Sequence, residues 1–137
     1  MAARDELHPR AAAVAAVLAA RAPGAQVRQL DASTRTAADA AAALGCEPAA
    51  IASSLVFVAD DGPVLILTSG AHRVDLRLVE AATGLSGLRR ATPEEVRAAT
   101  GQPIGGVSPV GHPAPLRTLI DRDLGRHPTV WAAAGTP

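Results

Sequence analysis

The chain has 137 residues and balances 13 cations against 13 anions, so its net charge is zero. That length fits one domain and buries a core without disulfides or metal, and the single Cys46 excludes an internal disulfide. All 13 cations are arginine, which excludes any mechanism needing a lysine amine, and neutrality removes any global electrostatic signature of nucleic-acid binding.

In chain order, "HPRAAAVAAVLAARAPG" predicts a helix. Pro9 suits its first position, Val14, Val17 and Leu18 share one face, and Pro23 and Gly24 stop it. "AQVRQLD" reads as a short, weak strand. "TAADAAAALG" predicts a second helix with Thr36 as cap and Gly45 after its end. "EPAAI" adds one helical turn. "SSLVFVA" and "PVLILT" then form the clearest strand pair, joined by "DDG" as a hairpin turn. The second run is apolar throughout, as in a strand covered on both faces.

"SGAHR" reads as a loop, "VDLRLVEAATG" as a helix capped by Asp75, and "GLRRA" as a brief strand. "TPEEVRAATG" carries a capping box, Thr92 with Glu95, and ends at Gly101. "LRTLID" predicts a strand, "RDLGRHP" a loop and "TVWAAA" a last strand. Helices and strands do not alternate strictly. The pattern therefore predicts an α/β domain of the α+β type, a mixed sheet with helices packed on it, spanning residues 1–137. No apolar run approaches the ~20 residues of a bilayer span, and "MAARDELHPR" is too polar for a signal peptide. A cytoplasmic location is expected.

The chemistry concentrates in "GQPIGGVSPVGHP", Gly101 to Pro113. Seven of its 13 residues are Gly or Pro. Glycines permit close backbone approach and prolines stiffen the chain. Successive amides in such a loop can converge on one oxygen. On composition alone, this nest and a tight connection stand level. The histidines show no metal-ligand spacing, so no metal is expected, and no organic cofactor is implied either. Ser53 and Ser54 open the strongest strand, where facing solvent is the plainer role. Asp121 ends a strand, as a turn residue or an orienting group. Arg73, Arg77, Arg89, Arg90 and Arg97 fall in one region, which reads as a solvated face before a basic patch.

Taken together, "AAALGCEPAAIASSLVF", "PVLILTSGAHRVD", "RRATPEEVRAATGQPIGGVSPVGH" and "LRTLID" resemble the YbaK family of aminoacyl-tRNA deacylases. That family is related to the editing domain inserted in bacterial prolyl-tRNA synthetases. The resemblance implies a curved, barrel-like sheet surrounded by helices. It also implies trans-editing hydrolysis of a small wrong amino acid from tRNA, foremost the tRNA for proline. The family's G-x-x-x-P motif matches Gly105 to Pro109. Gly105, Gly106, Val107, Ser108 and Pro109 are then the expected carbonyl-binding loop, aided by the 2′-hydroxyl of the terminal adenosine and a water. Ser53, Ser54, Gly111, His112 and Asp121 are the expected substrate-binding or supporting residues.

Two departures qualify the match. Ser53 stands where many members carry a lysine. The family pattern also continues past "WAAAGTP" with a histidine and a further apolar segment, so the domain is expected to be short at its C-terminus. The alternative to a deacylase is a weak or inactive module that binds an aminoacyl or nucleotide ligand, or a tRNA end. Expected partners are tRNA, an aminoacyl-tRNA synthetase and, to cover the surface around Trp131, a second copy of the chain.

Overall fold

The structure, a computed structural model, describes residues 7–30, 34 and 36–137. Its centre is a hairpin. Strand β1 (Ile51–Ala59) pairs antiparallel with β2 (Gly62–Ser69), from Ala59 opposite Gly62 to Ala52 opposite Ser69. Asp60 and Asp61 form the two-residue turn. β4 (Arg117–Ile120) runs parallel to β2. On the other side of β1 lie two short partners: β3 (Arg89–Arg90), antiparallel, and β5 (Trp131–Ala132), parallel.

The sheet is therefore mixed, as the irregular order of elements predicts. The barrel-like closure does not occur: the sheet is open, in the order β3-β1-β2-β4 with β5 also on β1. The strands that would have to close it, β3 and β5, are two residues each and pair only with β1.

Helix α1 (Pro9–Arg21) starts with Pro9 in its first turn, and the His8 ring accepts the Arg10 amide. Helix α2 (Ala37–Leu44) is capped by Thr36 and ends at Gly45, whose φ of 71° is left-handed. Helix α3 (Leu76–Thr83) is capped by the Asp75 carboxylate, which accepts from Arg77 and Leu78. Helix α4 (Pro93–Thr100) has the full capping box between Thr92 and Glu95. Arg89 locks Glu95 with two hydrogen bonds of 2.8 Å, and that bond, with the Thr92 amide, holds the carboxyl down at about 2.

The core lies on both faces of the hairpin. One cluster joins Ala52, Val56, Leu65 and Leu67 to Val96 of α4, Val107 and Leu124. The other joins Phe57, Val64 and Ile66 to Leu88, with Leu76 and Val79 of α3 packed against it. Leu65 is 0% and Val64 1% exposed, each worth about 1.5–3 kcal/mol of burial. This double cover accounts for the unbroken apolar run of β2.

Three segments differ from expectation. Residues 25–30 form no strand, since no neighbouring strand offers them a ladder. "RDLGRHP" contains a 3-10 turn, Arg122–Arg126. "TVWAAA" shrinks to the two residues of β5. Cys46 is a free, half-buried thiol.

Candidate functional site

The Gly101–Pro113 loop is built on a buried network of uncharged groups. Gln102 is its hub: its Oε1 accepts the Ser108 amide at 2.7 Å, and its Nε2 donates to Ser108 Oγ at 3.0 Å. Ser108 Oγ in turn donates to the Val110 carbonyl. Thr100 Oγ1 donates to Val96 O and accepts the Gln102 amide. His112 Nε2 lies 2.9 Å from the Ser108 carbonyl. Ser108 is 0% exposed, so its hydroxyl holds the loop in shape. Val107 is equally inward, with its side chain in the core.

The loop's outer side faces a half-open cleft of about 960 Å³. Gly105, Val107 and Pro109 line one wall, and Ser53 and Ser54 of β1 another. Within the described residues, no hydrogen bond engages the amides of Gly105 or Val107, whereas Gly106 donates to Pro103 O at 3.1 Å and Ser108 to Gln102. The expected nest thus reduces to two amides. Gly105 has φ of 88° and open space where a side chain would stand. At Gly106 a Cβ would meet the Thr136 carbonyl carbon at 2.6 Å. That glycine lets residues 135–137 pass over the loop, and the Gly135 amide donates to Gly106 O at 2.8 Å. Arg10 Nε ties the same segment to α1 through Gly135 O at 2.7 Å.

The opposite wall exposes a break in the sheet. β5 pairs with β1 only as far as Ala52, and β3 only from Phe57. Ala91 donates to Val56 O at 3.2 Å. By strand alternation the peptide groups of Ser54 point the same way as those of Val56, into a gap that no strand of the described residues fills. The Ser54 hydroxyl is also buried with no hydrogen-bond partner among the described residues. A buried group left unpartnered costs about 1–3 kcal/mol unless a ligand or water satisfies it.

Other expected residues lie elsewhere. Gly111, His112 and Asp121 do not line the cleft. Gly111 rests on α1, where a Cβ would stand 3.6 Å from Val17. Asp121 braces the loop after β2: its Oδ2 accepts the Ser69 amide at 3.1 Å and lies 2.7 Å from His72 Nδ1. His72 Nε2 faces Asp123 at 3.4 Å. The bond to Asp121 and its charge raise the His72 pKa, outweighing partial burial, with Asp123 adding and Arg126 opposing. Burial pushes the Asp121 carboxyl up, but bonds from His72 and from the amides of Asp123 and Ser69 outweigh it, so the net shift is downward. These three side chains lie within 4.8 Å of one another. Each ring nitrogen already faces a carboxylate, so the trio serves as an ion pair that fastens the loop.

The sequence reading missed several cleft residues: Arg28, Leu30, Arg90, Trp131 and Thr136. The Arg28 guanidinium lies 5.0 Å from the centre of the Trp131 ring. Among the described residues, no carboxylate, cysteine or lysine side chain lines the cleft; its titratable side chains are His8, Arg28 and Arg90.

Residues 31–137 match the model of the aminoacyl-tRNA editing domain. The chain belongs to that family. It superposes with a TM-score of 0.90, at 50% identity, on the crystal structure of a candidate trans-editing enzyme for prolyl tRNA synthetase, covering 96% of this chain and 84% of that one. It is 32% identical to the Bacillus subtilis protein YwhH over 111 residues, 80% of this chain and 70% of YwhH. It is also 33% identical over 88 residues to the proline–tRNA ligase of Levilactobacillus brevis, 64% of this chain but only 16% of that ligase. Among the described residues, no helix is long and apolar enough to cross a membrane.

Proposed function

We propose that this domain hydrolyses, in trans, the ester linking a small wrong amino acid to tRNA, with the tRNA for proline as its substrate. The observation that carries this reading is the pair of unengaged amides, Gly105 and Val107, in the wall of the cleft. Two fixed donors suit the oxyanion that develops when water attacks an ester carbonyl. The ester C–O bond then breaks, and a proton passes to the departing 3′-oxygen of the ribose. Among the described residues no carboxylate side chain lines the cleft, and His8 uses Nδ1 to accept the Arg10 amide. On this reading, as the family resemblance implies, the substrate's own 2′-hydroxyl and a water manage the proton. Across the cleft, the free peptide groups and hydroxyl of Ser54 receive the polar end of the aminoacyl group. The apolar remainder selects by size, where one methylene is worth about 1–3 kcal/mol.

The same reading places the protein in the cytoplasm beside a prolyl-tRNA synthetase. A second copy would cover Val130, which is 41% exposed, and Trp131 next to it. Sedimentation that shows one monomer at every concentration removes that pairing. The test of the function is release of amino acid from tRNA for proline charged with alanine, cysteine or proline. Hydrolysis of the alanyl or cysteinyl ester, lost when the terminal adenosine is 2′-deoxy, is the expected result. Tight binding of all three without turnover would replace the hydrolase by a holder of tRNA ends.

A further inference from the structure

A second pocket, of about 460 Å³, adjoins the cleft; Ser53, Leu55, Phe57 and Arg90 belong to the walls of both. Ser53 and Thr68 are direct cross-strand partners, so their side chains stand on one face of the sheet. Arg90 is the partner of Phe57 on that same face. Thr68 is 5% exposed, and its hydroxyl has no hydrogen-bond partner among the described residues. Arg73 enters from the loop that His72 and Asp121 fasten.

The charges are one-sided. No carboxylate lines this pocket among the described residues. Among the described residues neither Arg73 nor Arg90 makes an ion pair, whereas Arg89, Arg117 and Arg126 do. Two guanidinium groups, which can only donate, and two hydroxyls free to donate match a tetrahedral oxyanion with several acceptor oxygens.

We propose that the second pocket holds a phosphodiester of the tRNA 3′ end, with Arg73 and Arg90 as its cationic contacts and the Ser53 and Thr68 hydroxyls as neutral donors. The inference rests on the aminoacyl ester occupying the neighbouring cleft. An ester on the terminal ribose leaves the phosphate of that nucleotide one sugar away, and the shared wall at Ser53 and Arg90 is where the two sites meet. The cations are thereby supplied from β3 and from the loop after β2, not from position 53.

The test measures binding of a single-stranded RNA ending in CCA across a range of salt concentrations. Arg73→Ala and Arg90→Ala should each weaken binding several-fold at low salt. Each should flatten the slope of log K against log salt by about 0.7, the value for one phosphate contact on a single strand. Arg→Lys at either position should restore the slope, and Thr68→Val should weaken binding without changing it. Wild-type affinity and slope in both alanine variants, with folding confirmed by denaturation, overturn the proposal. Binding of inorganic phosphate that depends on both arginines, with RNA binding unaffected, overturns the RNA assignment. Deacylation run in parallel separates the two readings. Activity with unaltered slopes sinks only the phosphate site. A flattened slope without activity on any mischarged tRNA sinks only the hydrolase.

Discussion

Two loops border the candidate site, and they are held by opposite physics. The Gly101–Pro113 loop is tied from within by neutral hydrogen bonds among Thr100, Gln102 and Ser108, all buried. The loop after β2 is tied from outside by His72, whose side chain is 44% exposed, to Asp121 and Asp123. In the first, each bond is shielded from water, and a lost partner strands a buried group. In the second, water and salt compete for every contact. A loop that must offer two backbone amides in fixed positions needs the first kind of support. A loop that carries an arginine to a flexible RNA end tolerates the second.

The largest effect that sharpens this contrast is expected at Gln102. Gln102→Ala strands the Ser108 amide, at about 1–3 kcal/mol for the orphaned group, while the Ser108 hydroxyl keeps its bond to the Val110 carbonyl. Urea denaturation should show the midpoint falling with an unchanged m-value. A loss under 0.5 kcal/mol, the scale of an ordinary surface substitution, would mean that the network is not what holds the loop.

The two glycines come next, and they fail for different reasons. Gly106→Ala forces the backbone of Thr136 and Pro137 away from a Cβ contact of 2.6–2.8 Å, an overpacking cost of about 1–3 kcal/mol. Gly105→Ala meets no neighbour, but its φ of 88° is strained for alanine, at roughly 1–2 kcal/mol. Deacylation should fall in both. Only the Gly106 variant should also release residues 135–137, seen as faster amide exchange at Gly135. Equal exchange in the two variants would show that the C-terminal segment does not lean on the loop.

The same contrast explains what was legible in the sequence. Boundary chemistry is local, so Thr92 with Glu95, Thr36 with Gly45, and the Asp60–Asp61 turn all stand where their types predict. The composition of the Gly101–Pro113 segment left a nest and a tight connection level, and only the family resemblance singled out Gly105 to Pro109 as the expected site. The division of labour inside it was not legible. That Gly105 and Val107 keep free amides while Gly106 and Ser108 spend theirs depends on Gln102 and Pro103. Nor was the second loop's clamp visible, because His72 and Asp121 are 49 residues apart. The arginines of the second pocket looked like a solvated face, and only the register of β3 on β1 sets Arg90 beside Phe57.

The smallest expected effect lies in that exposed clamp, and it has a defined pH signature. His72 titrates above its reference value of 6.5 in the folded protein. Its contribution to stability is therefore complete below the unfolded value and is lost as pH rises through the folded one. Asp121 has the opposite sign: folding lowers it below its reference of 3.8, so its contribution is present above that value and is lost as pH falls through the lowered one. The clamp is strongest between the two, in mildly acidic solution. An NMR titration of the His72 ring should give a midpoint above 6.5, moving down on Asp121→Asn and on added salt. The Asn side chain still accepts the Ser69 amide, so the shift reports the charge and not the fold of the turn. If the midpoint sits at the free-histidine value in the native protein, Asp121 does not clamp His72, and the loop that brings in Arg73 is held by its backbone alone.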